Sequence, residues 1–280
     1  MVASIKHMFM FYGIANMIEK ASKRQQRLAV LLRATSGTIR VADAMRALEI
    51  DRQHATQLLA GWHKQGVIRR IARGLYMPVQ PTALGQIQVL EDPWVLVPEL
   101  YHPGYVGGWS ALEYWELTEQ LFRSVCVLTS KRTEYGEVQH QGVNFFVKHV
   151  PEKQLFGTKT IWRENVKIRI SDPYKTMLDI MNDPYLGAGL QHTTDCFLAF
   201  KKLYSQTDEL KQLLAYMEQS QNGALYKKMG YLAEKLKFEP WFIDACKRNL
   251  TKGYAYLDKT AKSNRLVTRW RLWVPKGVDL

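Results

Sequence analysis

At 280 residues, with 46% apolar and 11% aromatic side chains, the chain can fill the core of one large domain or two modest ones, which excludes an unstructured tail. The formal charge of +13 is uneven: residues 1–90 hold 13 Lys and Arg against 4 Asp and Glu, a net +9, leaving +4 for the remainder. Such an excess on a short segment is either an electrostatic footprint for phosphates or anionic lipid, or simply a basic soluble surface.

The opening "MVASIKHMFMFYGIANMIEK" carries an apolar run, yet only Lys6 precedes it, Asn16 and Glu19 interrupt its end, and no small-residue cleavage site follows. It is expected to be an extra N-terminal helix or a mis-assigned start, not a signal peptide. No later stretch approaches the ~20 apolar residues of a membrane span.

From Lys23 to Ala34 the spacing predicts a helix with Leu28, Leu31 and Leu32 on one face, broken by Gly37 in "TSGT". A second short helix is expected in "IRVADAMRALEI", where Val41, Ala44, Met45 and Leu48 recur at helical spacing. Asp51 then stands where an N-cap belongs and opens a third helix. At 100° per residue, Leu58, Leu59 and Trp62 fall within roughly 60° of Ala55 and form its buried stripe. The far side presents Gln53, Gln57, Ala60 and Lys64, with Arg52, Thr56 and His63 on one flank and His54 on the other. Amide side chains can bond bidentately to adenine and arginine to guanine, and a small Ala60 permits close approach to a groove wall. Arg52, Gln53, Thr56 and Gln57 are therefore candidate base readers.

Gly66 is a left-handed helix stop, and "VIRRIARGLYMPV" alternates as a hairpin turning at Arg73-Gly74. A core strand would hide three arginines, so Arg69, Arg70 and Arg73, with Lys64, are candidate phosphate or minor-groove contacts. Helices and hairpin in this order spell a winged helix-turn-helix over residues 1–82. A generic three-helix bundle would share the periodicities but not the hairpin, the caps and the arginines in that order.

A linker is expected at 78–88, and a second domain over 91–280. Its first helix has Asp92 as cap and Pro93 at the first position. "GGWSALEYWELTEQL" is expected to use Ser110 as N-cap with Glu113 three residues on. "SVCVLT", "VNFFVKHV" and "VKIRI" predict a small sheet. Asp172 and Pro173 open a further helix, and helical spacing dominates from His192 to Asn249 as a C-terminal bundle. In "NRLVTRWRLWV" alternation predicts one strand, with Arg265, Arg269 and Arg271 on one side as a candidate second basic face or a solvated one. The expected fold class is α+β: a winged helix-turn-helix domain, then a mixed domain with a small sheet and a helical bundle.

Enzyme motifs do not survive inspection. "GGWSAL" lacks the second glycine of a nucleophile elbow, because Leu112 stands there; "GTKT" at Gly157 lacks P-loop spacing; and no H-E-x-x-H or G-x-G-x-x-G occurs. Cys126, Cys196 and Cys246 are odd in number and without a C-x-x-C pair, as expected of small core residues in a reducing cytoplasm. Neither metal nor cofactor is implied. Asp172, Asp179 and Asp183 could be imagined as a metal-dependent nuclease cluster, although helix capping accounts for two of them more simply.

The order of "GVIRRIARGLYMPV", "GGWSALEYWELTEQ", "VCVLTSKR", "VPEKQLFG", "ISDPYKTMLDIMND", "GYAYLD" and "RWRLWV" resembles the AbiEi antitoxin family, the transcriptional-regulator half of bacterial AbiE toxin-antitoxin systems of abortive phage infection. The resemblance implies a two-domain protein, and with no enzyme motif surviving no catalytic activity is expected. Its N-terminal domain would bind inverted repeats in its own promoter and repress the operon, and its C-terminal domain would counter an AbiEii-like nucleotidyltransferase toxin. No G-S followed by D-x-D occurs, so the chain does not resemble the toxin. The residues before Lys23 depart from the family pattern. A metal-dependent DNA nuclease and a ligand-responsive regulator without a toxin are the alternatives.

Overall fold

The structure is a computed structural model that describes residues 23–35, 37–79, 92–133, 135–140, 142–163, 166–204, 206–261 and 264–276. The expected N-terminal helix, and the linker beyond Val79, lie outside the described residues. The chain divides into two compact units, the first comprising residues 1–90 and 164–166 and the second residues 91–163 and 167–280.

In the first unit, helix α1 (23–34) is followed by β1 (Ile39–Arg40), α2 (Val41–Leu48), α3 (Arg52–Lys64), β2 (Ile68–Ala72) and β3 (Leu75–Pro78). The strands form one antiparallel sheet in the order β1-β3-β2. Its core is Leu31, Ile39, Ala44, Ala55, Leu59, Trp62, Ile68 and Tyr76. Two expectations need correction. Leu32 is exposed, because α1 turns only the Leu28 and Leu31 edge inward. Ile39 belongs to a strand, since pairing with Tyr76 carries its side chain into the core, although "IRVADAMR" continues at helical spacing.

The second unit begins with a 3₁₀ turn at Pro93–Leu96, capped by Asp92, whose carboxylate accepts from Trp94 N at 2.9 Å. Then come α4 (Val97–Tyr101), β4 (Gly104–Val106), α5 (Gly108–Tyr114), β5 (Ser124–Thr129), β6 (Gly136–His140), β7 (Val143–His149), β8 (Thr158–Arg163) and β9 (Val166–Ser171). These strands make a mixed sheet in the order β6-β7-β5-β4-β9-β8, in which β5 runs parallel to β7 and β4 parallel to β9. Helices α6 (Pro173–Asn182), α7 (Leu190–Leu203), α8 (Thr207–Ser220), α9 (Gly223–Lys235) and α10 (Pro240–Arg248) follow, then β10 (Ala255–Tyr256), β11 (Asn264–Val267) and β12 (Leu272–Pro275). Cys126, Phe146, Met177, Phe197, Leu213, Leu232 and Trp270 share one core that joins strands to helices. All three cysteines are buried and free, as expected of core residues. Among the described residues no helix is long and apolar enough to cross a membrane.

Ser110 is not the cap expected of it. Helix α5 starts three residues earlier, with Gly107 as N-cap and Gly108 at φ 51°, where a Cβ would meet Cys126 Sγ at 2.6 Å. Ser110 lies inside the helix, and its Oγ accepts from Cys126 N at 2.9 Å, tying α5 to β5. Glu113 accepts from Phe122 N at 3.4 Å.

The expected strand 264–274 is instead a hairpin. β11 and β12 pair antiparallel across a 3₁₀ turn at Thr268–Trp270, and Arg271 has φ 50°. The cause is Trp270: its fully buried ring lies against Gly230 of α9, where a Cβ would meet it at 2.2 Å, so the chain must fold back there. Arg265, Arg269 and Arg271 therefore do not share one strand face. Arg269 donates to Glu234 Oε2 at 2.8 Å and 3.0 Å, as does Trp270 Nε1 at 2.8 Å. Against the upward push of burial, the Trp270 and Arg269 hydrogen bonds hold the Glu234 carboxyl below its usual range. Arg271 donates to Thr251 O at 2.9 Å, and Arg265 is exposed on β11.

Helix α6 packs against α5, α7, α8 and α9 and buries eight of its ten residues, so its polar side chains need partners within the protein. Lys175 bonds Asp179 one turn later, and Tyr105 donates its hydroxyl to the same carboxylate at 2.9 Å. Asp172 caps the helix by accepting from Lys175 N at 2.8 Å, and it also accepts from Tyr216 OH at 2.7 Å. The carboxylates of the nuclease alternative are thus separately engaged, Asp183 with Lys148. No group of three or more His, Cys, Asp or Glu that could hold a metal occurs among the described residues.

Removing one partner of the Lys175–Asp179 pair leaves a buried charge uncompensated. Asp179→Leu is expected to cost ~3–5 kcal/mol in urea unfolding, and Lys175→Met with Asp179→Leu to recover most of it. A double variant as unstable as the single one would contradict this account of α6.

Candidate nucleic-acid interface

The orientation of α3 follows from its apolar stripe. Ala55 and Leu59 are fully buried and Trp62 nearly so, while Leu58 is half-buried. Asp51 caps the helix, its carboxylate accepting from His54 N at 2.9 Å. This backbone bond, followed by the His54 ring bonded to the same carboxylate, holds the Asp51 carboxyl below its ordinary 3.8. The helix ends at Lys64, and Gly66 follows with φ 74°.

With that stripe inward, Arg52, Gln53, Thr56 and Gln57 are all exposed. The i, i+4 spacing stacks Arg52 over Thr56 and Gln53 over Gln57 along neighbouring rows of the first two turns. Thr56 donates its hydroxyl to Arg52 O at 2.8 Å, so the oxygen lone pairs are what it offers outward. Lys64 and His63 are exposed in the last turn, and Ala60 is half-buried. His54, on the other flank, folds back onto Asp51.

The hairpin is less regular than its alternation suggests. Arg70 faces Tyr76 and Ala72 faces Leu75, which leaves Ile71 as an extra residue in a bulge. A strict two-residue repeat would put only one of Ile68 and Ile71 inside. The bulge buries both and leaves Arg69 half-buried and Arg70 exposed between them. Arg70 is steadied by a bond from Nε to Ala72 O at 3.3 Å. Arg73 is exposed at the turn beside Gly74, whose φ of 76° is the conformation the reversal needs. From Arg52 to Val79 there is no Asp or Glu, whereas Arg52, Lys64, Arg69, Arg70 and Arg73 all fall there. The helix face and the hairpin thus form an acid-free cationic stretch, and Asp51 at its start is turned to the helix backbone.

The structure thus brings the candidate base readers together on one face of α3 and carries the hairpin arginines on the same unit. Arg265, Arg269 and Arg271 belong to the other unit and are spread over a hairpin. Sequence spacing missed Arg40, exposed on β1 opposite Leu75, because the strand was hidden in a helical pattern. Two residues of β propensity, Ile39 preceded by Thr38, were the available signal.

Residues 26–79 match the model of a family described as "Transcriptional regulator, AbiEi antitoxin", the family that the sequence resembles. That region runs from within α1 through β3 and includes all the residues discussed for α3 and the hairpin. No curated protein matches the chain. Among solved structures it is similar to the crystal structure of the RV2827C protein from Mycobacterium tuberculosis, with a TM-score of 0.57 and 14% sequence identity over 90% of this chain and 91% of that one. At that identity the likeness concerns the fold alone.

Gly74→Ala is expected to cost ~1–2 kcal/mol in urea unfolding, because an L side chain must then hold a left-handed conformation. An unchanged midpoint would contradict the turn. For Asp51, a depressed folded-state pKa makes its contribution present above 3.8 and lost as pH falls through the lower folded value. Asp51→Asn should shrink that acid-dependent loss in a helicity titration; an identical titration in both proteins would contradict it.

Proposed function

We propose that this protein is a DNA-binding transcriptional regulator of the antitoxin type, whose first unit is a winged helix-turn-helix with α3 as recognition helix and the β2–β3 hairpin as wing. The observation that carries the reading is the acid-free face of α3 and hairpin, lying within the region that matches a family of transcriptional regulators. Gln53 and Gln57 suit adenine edges and Arg52 suits guanine, while Thr56 serves either base class through its free lone pairs. Lys64, Arg69, Arg70 and Arg73 supply phosphate or minor-groove contacts that set register and affinity without carrying sequence information.

The family's description as an antitoxin supports the wider reading. In it, the protein binds inverted repeats in its own promoter, represses a toxin-antitoxin operon in the cytoplasm, and counters an AbiEii-like nucleotidyltransferase toxin through the second unit. The protein acts by binding, not by catalysis. Its operator is double-stranded DNA, filled by two copies at the two half-sites that an inverted repeat presents.

Base readers and phosphate contacts respond differently to mutation. Gln53→Ala with Gln57→Ala is expected to lower discrimination against a wrong base by ~1–3 kcal/mol per lost bidentate contact. Arg70→Ala or Arg73→Ala is expected to weaken binding to all sequences and to reduce the slope of log affinity against log salt by about one per lost phosphate contact. Titrations of operator and scrambled duplexes at several salt concentrations check both. Base preference unmoved by the glutamine pair would remove α3 from base reading, and a salt slope indifferent to both arginines would remove the wing.

A further inference from the structure

The second unit contains a cleft of about 380 Å³, within the size range of small-ligand sites, bounded by the end of α6, the start of α7 and the turn at 258–260. Three lysines line it, Lys148, Lys228 and Lys259, together with the carboxylates of Asp183 and Asp258. The acids are already engaged. Asp183 pairs with Lys148 Nζ at 2.5 Å and accepts from Tyr185 N at 3.2 Å. Asp258 Oδ1 accepts from Thr260 N at 2.8 Å and from Thr260 Oγ1 at 2.7 Å.

Lys228 is held differently. It is buried, and its ammonium donates to Met181 O at 2.9 Å and Asn182 O at 3.3 Å, neutral acceptors that fix its position without cancelling its charge. Burial, and then the nearby Lys259, push its pKa down to about 8 against the opposing attraction of Asp183 and Asp258. Two cations that repel each other across a cleft are an arrangement that a bound anion relieves. Gly189, at the N-cap of α7, also lines the cleft; no side chain caps that helix and no acid stands in its first turn, so its positive end adds to the field.

The rim is aromatic. Tyr185 lines the cleft and is 57% exposed, and its ring lies 5.1 Å from that of Phe146 and 6.5 Å from that of Tyr135, itself 58% exposed. Phe146 is buried, so Tyr185 rests on a fixed support while one side remains open to solvent. An exposed ring beside cations is the pairing that recognises a base and its phosphate together.

We propose that this cleft binds a phosphorylated nucleoside, with the phosphate against Lys228 and Lys259 at the start of α7 and the base stacked on Tyr185. The site lies wholly in the second unit and does not depend on the first unit's reading of DNA.

The test is calorimetric titration of the full chain with ADP, GDP and UDP, and with inorganic phosphate as the minimal anion. At least one nucleotide should bind saturably at one per chain, more tightly than phosphate. Lys259→Ala should weaken both nucleotide and phosphate binding about tenfold, the worth of one charge-assisted hydrogen bond. Tyr185→Ala should weaken the nucleotide while leaving phosphate unchanged. Both substitutions are at the cleft surface and leave the Lys228 contacts in place. Arg70→Ala should leave nucleotide affinity unaltered, which separates this site from the basic first unit. Absence of saturable binding, binding indifferent to Lys259→Ala and Tyr185→Ala, or phosphate binding as tight as nucleotide would overturn the proposal.

Discussion

The apolar stripe of α3 can be buried in only one way, and the face that the first unit presents to solvent depends on that fact. Leu59 and Trp62 each gain about 1.5–3 kcal/mol by leaving water, and rotating the helix by one residue would forfeit both. The stripe therefore fixes the azimuth of α3, and with it which side chains project. Arg52, Gln53, Thr56 and Gln57 face solvent because Ala55, Leu59 and Trp62 cannot. A face needed only for solubility would accept acids as readily as bases. The stretch from Arg52 to Val79 has none, and the hairpin bulge that buries both Ile68 and Ile71 keeps Arg69 and Arg70 outside the core.

The second unit solves a different problem. Helix α6 is surrounded, so its charges cannot be solvated and are paired or capped instead: Lys175 with Asp179 and Tyr105, Asp172 with Tyr216 and the helix backbone. At its other end Lys228 occupies the carbonyls of Met181 and Asn182. A satisfied network of this kind rigidifies the helix and the elements packed on it. The cleft beside Lys228 is thus built on fixed groups rather than on a loose loop, and the cation serving the last turn of α6 is also one the cleft can use.

Much of the first unit was legible in sequence because its signals are local. Caps, helical spacing and the Arg73-Gly74 turn each depend on residues a few positions apart, and Asp51, Gly66 and the Ala55, Leu59 and Trp62 positions of the α3 stripe stand as expected. The errors share a cause: long-range contacts override local patterns. Ile39 joins a strand because Tyr76 is there to pair with, and Ser110 leaves its capping role because two preceding glycines let α5 start earlier against β5. Trp270 breaks an alternating strand because Gly230 offers its ring a place in the core. β4, β6 and β8 were missed for the same reason: "GYV", "GEVQH" and "TKTIWR" are short or polar, and their strand conformation comes from neighbours in the sheet. The cleft was invisible to any sequence pattern, since Lys148, Lys228 and Lys259 meet only through tertiary packing.

The central claim is that the first unit reads a specific DNA sequence, and an electrophoretic shift of the DNA immediately upstream of the protein's own gene tests it most directly. Sequence-specific binding gives a discrete complex that survives an excess of scrambled competitor and persists, more weakly, when the salt concentration is raised. Retention that scrambled DNA abolishes as readily as the upstream sequence does would leave a basic surface without base recognition and would contradict the account.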